Sequence, residues 1–273
     1  MGCLGWCASA FTSAVDARAA DTGAADVPSV DISTLIPASL SGPFVKTWGT
    51  LTGHRAFMGT SSIATELGGM EMGLETTLVH TPSDLAASLP AIPMVKLHFN
   101  KSWGSLIDFG FSGLYYPGFS ILGGSVKYII FQPEEGLEVA ARASYAYTNV
   151  DFKALGWNGL ALAPTGTEIG RVFLLLKSRT VSTEVLIGKK LEFAEPYAGL
   201  GYSWLVGQVD FPIKLTVLEA TQTLSTPAFR AQSYSAFTGV KFRMPGLGFQ
   251  LGMEGSYSSI GMHYLGTFIG FGI

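Results

Sequence analysis

Residues 70–78 read Met-Glu-Met-Gly-Leu-Glu-Thr-Thr-Leu. In an extended chain, Met70, Met72, Leu74, Thr76 and Leu78 share one face, and Glu71, Gly73, Glu75 and Thr77 share the other. The same period of two recurs nine more times before residue 273. Apolar rows begin at Val95, Ile107, Leu122, Leu137, Val181, Ala198, Tyr234, Leu247 and Leu265. The segment from Leu137 is the clearest, with Leu137, Val139, Ala141, Ala143 and Tyr145 set against Glu138, Arg142 and Ser144. Most segments run about nine to eleven residues, the length a tilted strand needs to cross a hydrocarbon layer.

Composition asks for such an explanation. Only 14% of the 273 residues are charged and 48% are apolar, whereas a soluble domain carries roughly 25% charge. Disorder needs the reverse balance. No run approaches the ~18 apolar residues of a spanning helix. A chain this apolar without a spanning helix is accommodated by a closed β-barrel in lipid, where every backbone group is paired. A net charge of −3 offers no basic surface for nucleic acid.

Connection lengths agree. Short ones fall at residues 100–104, 132–136, 189–194 and 244–246. Longer ones fall on the opposite side, at 81–92, 149–180 and 210–231, with short exceptions at 116–120 and 258–262. Membrane barrels combine short turns at one rim with longer loops at the other. Ten strands place both ends of residues 69–273 on the short-turn side. Twelve are open if residues 168–177 and one further segment also span. Tyr115, Tyr116, Tyr145, Tyr147, Trp204, Tyr234, Tyr257 and Tyr264 gather near the long-loop rim. Phe99, Phe131, Phe193, Phe242, Phe249 and Phe271 gather near the other. Such a split fits interfacial belts, where rings keep a polar tip among headgroups; Trp103, in a short turn, breaks it.

Residues 69–273 resemble bacterial outer-membrane β-barrel proteins. The stretch from Tyr264 to Ile273 is similar to the C-terminal strand that the barrel assembly machinery reads, although it ends on Ile273, with Phe271 two residues earlier. Residues 67–75 and 196–201 are similar to segments of uncharacterised Gram-negative barrels. The resemblance implies an all-β, antiparallel up-and-down transmembrane barrel in the bacterial outer membrane, in contact with lipid and lipopolysaccharide, and assigns no activity.

Residues 1–19 are apolar, rich in small residues and end in Ala17-Arg18-Ala19. They read as the tail of a secretory signal peptide, truncated because no Lys or Arg precedes the apolar part. A lipid-modified Cys7 and a genuine N-terminal extension stay open. Cys3 and Cys7 are the two cysteines and make no disulfide framework. Residues 20–68 form no clean strand. They are read as a periplasmic segment or as a hatch folded into the barrel, with Phe44, Val45 and Trp48 its candidate anchors. The hatch resembles the architecture of the long-chain fatty-acid transporters and shares no motif with them.

Side-chain chemistry concentrates on the inward face: Glu71, Glu75, Asp108, Glu138, Glu184 and Glu254 against Lys96, Lys127, Arg142, Lys241 and Arg243, with His98. A Lys or Arg facing lipid at mid-membrane costs roughly 2–4 kcal/mol, which turns this set toward the lumen. The signs nearly cancel, so the set reads as pore lining or as a self-satisfied ion-pair plug. A narrow or plugged channel for small or hydrophobic solutes is the leading expectation. A structural barrel without transport and a lipid-modifying enzyme are the alternatives. The enzyme reading is disfavoured. His54, His80, His98 and His263 make no metal spacing, there is no nucleophile elbow, and His80 with Ser83 and Asp84 nearby is not a triad by spacing alone. No cofactor and no metal are expected.

Overall fold

The computed structural model describes residues 45–50, 52–53, 57–63, 69–80, 91–133, 136–153, 158–162, 170–215, 221–225, 227–244 and 248–272. Residues 1–44, His54 and the loop residues Ser83, Asp84 and Trp157 lie outside these. So does Ile273.

The described strands are β1 (Met70–His80), β2 (Ala91–Trp103), β3 (Ile107–Tyr116), β4 (Phe119–Phe131), β5 (Glu138–Asp151), β6 (Leu160–Leu162), β7 (Gly170–Val172), β8 (Leu175–Gly188), β9 (Ala194–Leu215), β10 (Thr221–Ser225), β11 (Phe229–Arg243), β12 (Phe249–Ser258) and β13 (His263–Gly272). Ten of them form a closed antiparallel ring in the order β1, β2, β3, β4, β5, β8, β9, β11, β12, β13, and β13 returns to β1. Closure leaves no unpaired edge.

The twelve-strand alternative does not occur. Within 168–177 the described residues form no further spanning strand: Gly170–Val172 is the three-residue β7, which pairs with the far end of β9 outside the ring, and Leu175 onward already belongs to β8. Strand lengths are underestimated from sequence on the same side. β8 starts at Leu175 and β9 runs for 22 residues to Leu215, so part of each long connection is sheet that rises above the membrane. β10 folds back on that extension.

Burial is inverted relative to a soluble protein. Leu97 is 63% and Leu200 70% exposed, whereas Lys96 and Lys127 are 0% exposed. Leu74, Leu122, Val185 and Ile269 continue the outward apolar band. A surface of this kind is stable only against hydrocarbon. Tyr115, Tyr145, Trp204, Tyr234 and Tyr257 stand exposed at the long-loop rim, and Phe131, Phe193 and Phe271 at the other. Tyr264 departs from the rim belt: its hydroxyl turns inward and donates to Glu254.

Three inward aromatics lie flat over glycine gaps. A side chain at Gly270 or Gly73 would meet the Phe268 ring, one at Gly239 the Tyr197 ring, and one at Gly199 the Phe237 ring. Ring-over-glycine contact fills the groove that a bare backbone leaves between strands.

Candidate functional site

Described residues from the N-terminal portion of the chain lie inside the lumen. Residues 45–50 are helical and sit near the long-loop end. Val45 belongs to one buried cluster with Leu205 and Val209 of β9, Leu176 of β8, Ile121 of β4 and Val79 of β1, and Trp48 packs on the same cluster. The Trp48 ring meets Phe152 edge-on at 5.4 Å. Phe44, the third candidate anchor, lies outside the described residues. Thr52 Oγ1 donates to the Trp48 carbonyl at 2.7 Å and receives the Thr148 hydroxyl at 2.6 Å.

Residues 57–63 lie lower, where the lumen is ionic. All seven are buried. Phe57 takes φ 47°, a left-handed value that non-glycine residues rarely adopt, and its ring packs against Phe268 and His98 at 6.1 Å each. Residues 59–62 bond directly to the wall. Lys127 donates to the Gly59 and Ser61 carbonyls at 2.9 and 2.6 Å. The Ser61 amide donates to Glu195 at 2.7 Å and its hydroxyl to Glu138 at 2.6 Å. Lys96 reaches the Gly53 carbonyl at 2.7 Å. Residues 45–50 thus lie toward the long-loop end of the lumen and residues 57–63 toward its short-turn end.

The inward charges pair almost one to one. Glu75 with Lys96 (2.8 Å), Asp108 with Lys127 (2.7 Å) and Glu184 with Arg142 (2.5 Å) join residues directly opposite on neighbouring strands. Glu71 pairs with Lys241 across the lumen, from β1 to β11, and Asn100 donates to the same carboxylate at 3.0 Å. Arg243 pairs with Glu195 at 2.5 Å. Two carboxylates are held mainly by hydroxyls: Glu138 by Thr60 and Ser61, with the Gln132 amide at 3.2 Å, and Glu254 by Tyr197 and Tyr264. A buried charge is tolerated where it is paired and its remaining lone pairs are satisfied. These pairs therefore act as braces that fix the wall and the internal segment in one arrangement.

Every inward acid and base read from the sequence lies in the lumen. Glu195 and Tyr197 were missed. Pro196 sits between them and interrupts the alternating pattern, yet it is exposed on β9 and its neighbours point inward. The lumen retains a cavity of about 80 Å³ between Gly49, Thr50 and Gly53 and the walls of β5, β8, β9, β11 and β12. Ser144, Ser182, Ser203, Ser233, Ser235, Ser256 and Ser258 line it, with Glu184 the single charged group among the described residues.

The described histidines fall in two separate places. His98 is buried in the lumen against Phe57 and Phe268. His80 and His263 lie side by side on the outer rim, rings 5.9 Å apart, with Tyr257 4.7 Å from His263. Among the described residues, no group of three or more His, Cys, Asp or Glu could hold a metal ion.

No protein-family model matches the chain, and no curated protein matches it. Among solved structures, Ail, the attachment invasion locus protein of Yersinia pestis, shares 15% identity, with 74% of this chain and 93% of that chain covered and a TM-score of 0.33. Neisserial surface protein A shares 10%, with 75% and 97% covered and a TM-score of 0.33. The outer membrane protease OmpT from Escherichia coli shares 10%, with 74% and 91% covered and a TM-score of 0.40. These likenesses add nothing to the assignment, which the closed ring and the lipid-facing band carry by themselves. An even-numbered antiparallel ring with short turns at one rim is the form of single-chain bacterial outer-membrane barrels. The chain is an integral β-barrel protein of the bacterial outer membrane, with its own residues 45–50, 52–53 and 57–63 inside the lumen.

Proposed function

We propose that the barrel is a plugged channel for a small solute, closed by residues 45–50, 52–53 and 57–63. The observation that carries this reading is the character of the closure. The internal segment is held by side-chain-to-carbonyl bonds and ion-pair edges from β2, β4, β5 and β9, not by continuous sheet. Such contacts can be exchanged for water without breaking the ring. The apolar upper lumen around Val45 and Trp48 favours a hydrophobic solute over an ion.

A purely structural barrel is the second reading. It draws support from the near-complete pairing of the lumen charges, which leaves no one-signed path for an ion. Planar-bilayer recording separates the two. Full-length protein should be silent, and a folded Lys127→Met/Glu195→Gln variant should show discrete steps. Silence from both would favour the structural reading. For solute class, an apolar fluorescent probe should quench Trp48 in the intact protein and lose that site when Trp48 is replaced by Ala. The barrel assembly machinery is proposed as a partner through β13, whose Phe271 pairs with Met72 at the ring's closure.

A further inference from the structure

The outer wall is not uniform around its long-loop rim. On β5, β8, β9 and β11 the residues in direct register form ordered rows. The lowest is Thr183, Tyr202 and Tyr234. Above it run Tyr145, Val181, Trp204 and Gln232, then Tyr147, Arg179, Val206 and Arg230. Lys177 stands one row higher, opposite Gln208. Tyr202 and Tyr234 stack at 5.4 Å, and Tyr145, Tyr202, Trp204 and Tyr234 are all exposed.

An aromatic girdle marks the level where hydrocarbon gives way to headgroups. Arg179 and Arg230 sit on the headgroup side of it, both exposed, both on the outer face. One strand separates them, so their backbones stand about 10 Å apart at the usual strand spacing. Lys177 is engaged by Asp210 at 2.9 Å. Among the described residues no carboxylate pairs with Arg179 or Arg230. The opposite arc at the same level, on β1, β12 and β13, carries His80, Tyr257 and His263 and no Lys or Arg.

We propose that this arc is a binding site for a phosphorylated lipid headgroup of the outer leaflet, with Arg179 and Arg230 each taking a phosphate. Guanidinium matches phosphate in a two-pronged geometry, and at a lipid interface such charge-assisted bonds are stronger than in bulk water. The girdle beneath would pack the sugar or glycerol portion and the upper acyl carbons, since Trp and Tyr offer an apolar face with a polar tip. The long-loop rim faces outward in barrels of this type, so the ligand belongs to the external leaflet. The site is independent of whether the lumen conducts.

The test uses full-length protein purified in a neutral detergent and mixed with the diphosphorylated glucosamine lipid that anchors lipopolysaccharide. Retained lipid is counted by native mass spectrometry. The wild type should hold the diphosphorylated lipid and discriminate against its dephosphorylated counterpart. Arg179→Gln/Arg230→Gln should reduce retention about tenfold or more, by the loss of two charge-assisted contacts. Lys189→Gln/Lys190→Gln, at the short-turn rim, should leave it unchanged. Heat-modifiable migration confirms that each variant is folded, and Arg179→Lys/Arg230→Lys should retain an intermediate amount. Equal retention by the Gln variant and the wild type would overturn the proposal. So would equal loss in the short-turn control, or equal binding of the dephosphorylated lipid.

Discussion

Single residues in the lumen carry more than one duty. Lys127 is fully buried, pairs with Asp108 and also holds the Gly59 and Ser61 carbonyls. Lys127→Met removes one partner of a buried pair, which costs about 3–5 kcal/mol. Urea unfolding in lipid vesicles should show that loss, and Lys127→Met/Asp108→Leu should recover only part of it, because an apolar pair leaves no orphaned charge but still strands the Gly59 and Ser61 carbonyls. Gly199 is constrained differently. A side chain there meets the Phe237 ring and stands 2.6 Å from the Val185 carbonyl, and that carbonyl cannot move without breaking sheet. Gly199→Val should sharply reduce the heat-modifiable folded species on gels, whereas Gly255→Ala, where the nearest atom is 3.9 Å away, should not. The alternation around Gly199 could be read from sequence, but the ring above it could not. Phe237 lies 38 positions away and is brought near only by the pairing of β9 with β11.

At the scale of elements, the internal segment behaves as a separate piece seated in a finished wall. Gly59 touches the Glu195 carboxylate so closely that any side chain there displaces one of them. Gly59→Leu should therefore dislodge residues 57–63 while leaving the ten-strand ring intact. Liposome swelling with small uncharged solutes should rise relative to wild type, and unchanged swelling would mean that the segment is not what closes the lumen. β8 and β9 illustrate the limits of pattern reading. Arg171 to Leu176 is a nearly continuous apolar run, and it divides between β7, a connection and the start of β8. A run without alternation does not announce a strand whose one face meets Val45 and whose other meets neighbouring sheet.

The whole molecule depends on its solvent. Exposed Leu97, Leu122, Leu200 and Ile269 girdle a ring whose charges point inward. In plain buffer the purified chain should aggregate without a β-rich far-ultraviolet spectrum. In detergent or short-chain lipid it should gain that spectrum together with heat-modifiable migration. A monodisperse, folded protein in buffer alone would contradict the lipid-facing band. Sequence by itself determined the antiparallel strands, their two faces and the even ring. Lipid and lumen impose opposite chemistry on alternate residues, so each strand reports its own orientation locally. Only the tertiary structure decided which charges pair and that residues 45–50, 52–53 and 57–63 lie inside the lumen. Those contacts join positions as distant as Ser61 with Glu195 and Glu71 with Lys241, and separation of that order leaves no periodic trace along the chain. They form because ring closure confines buried charges in a space where each must find a partner.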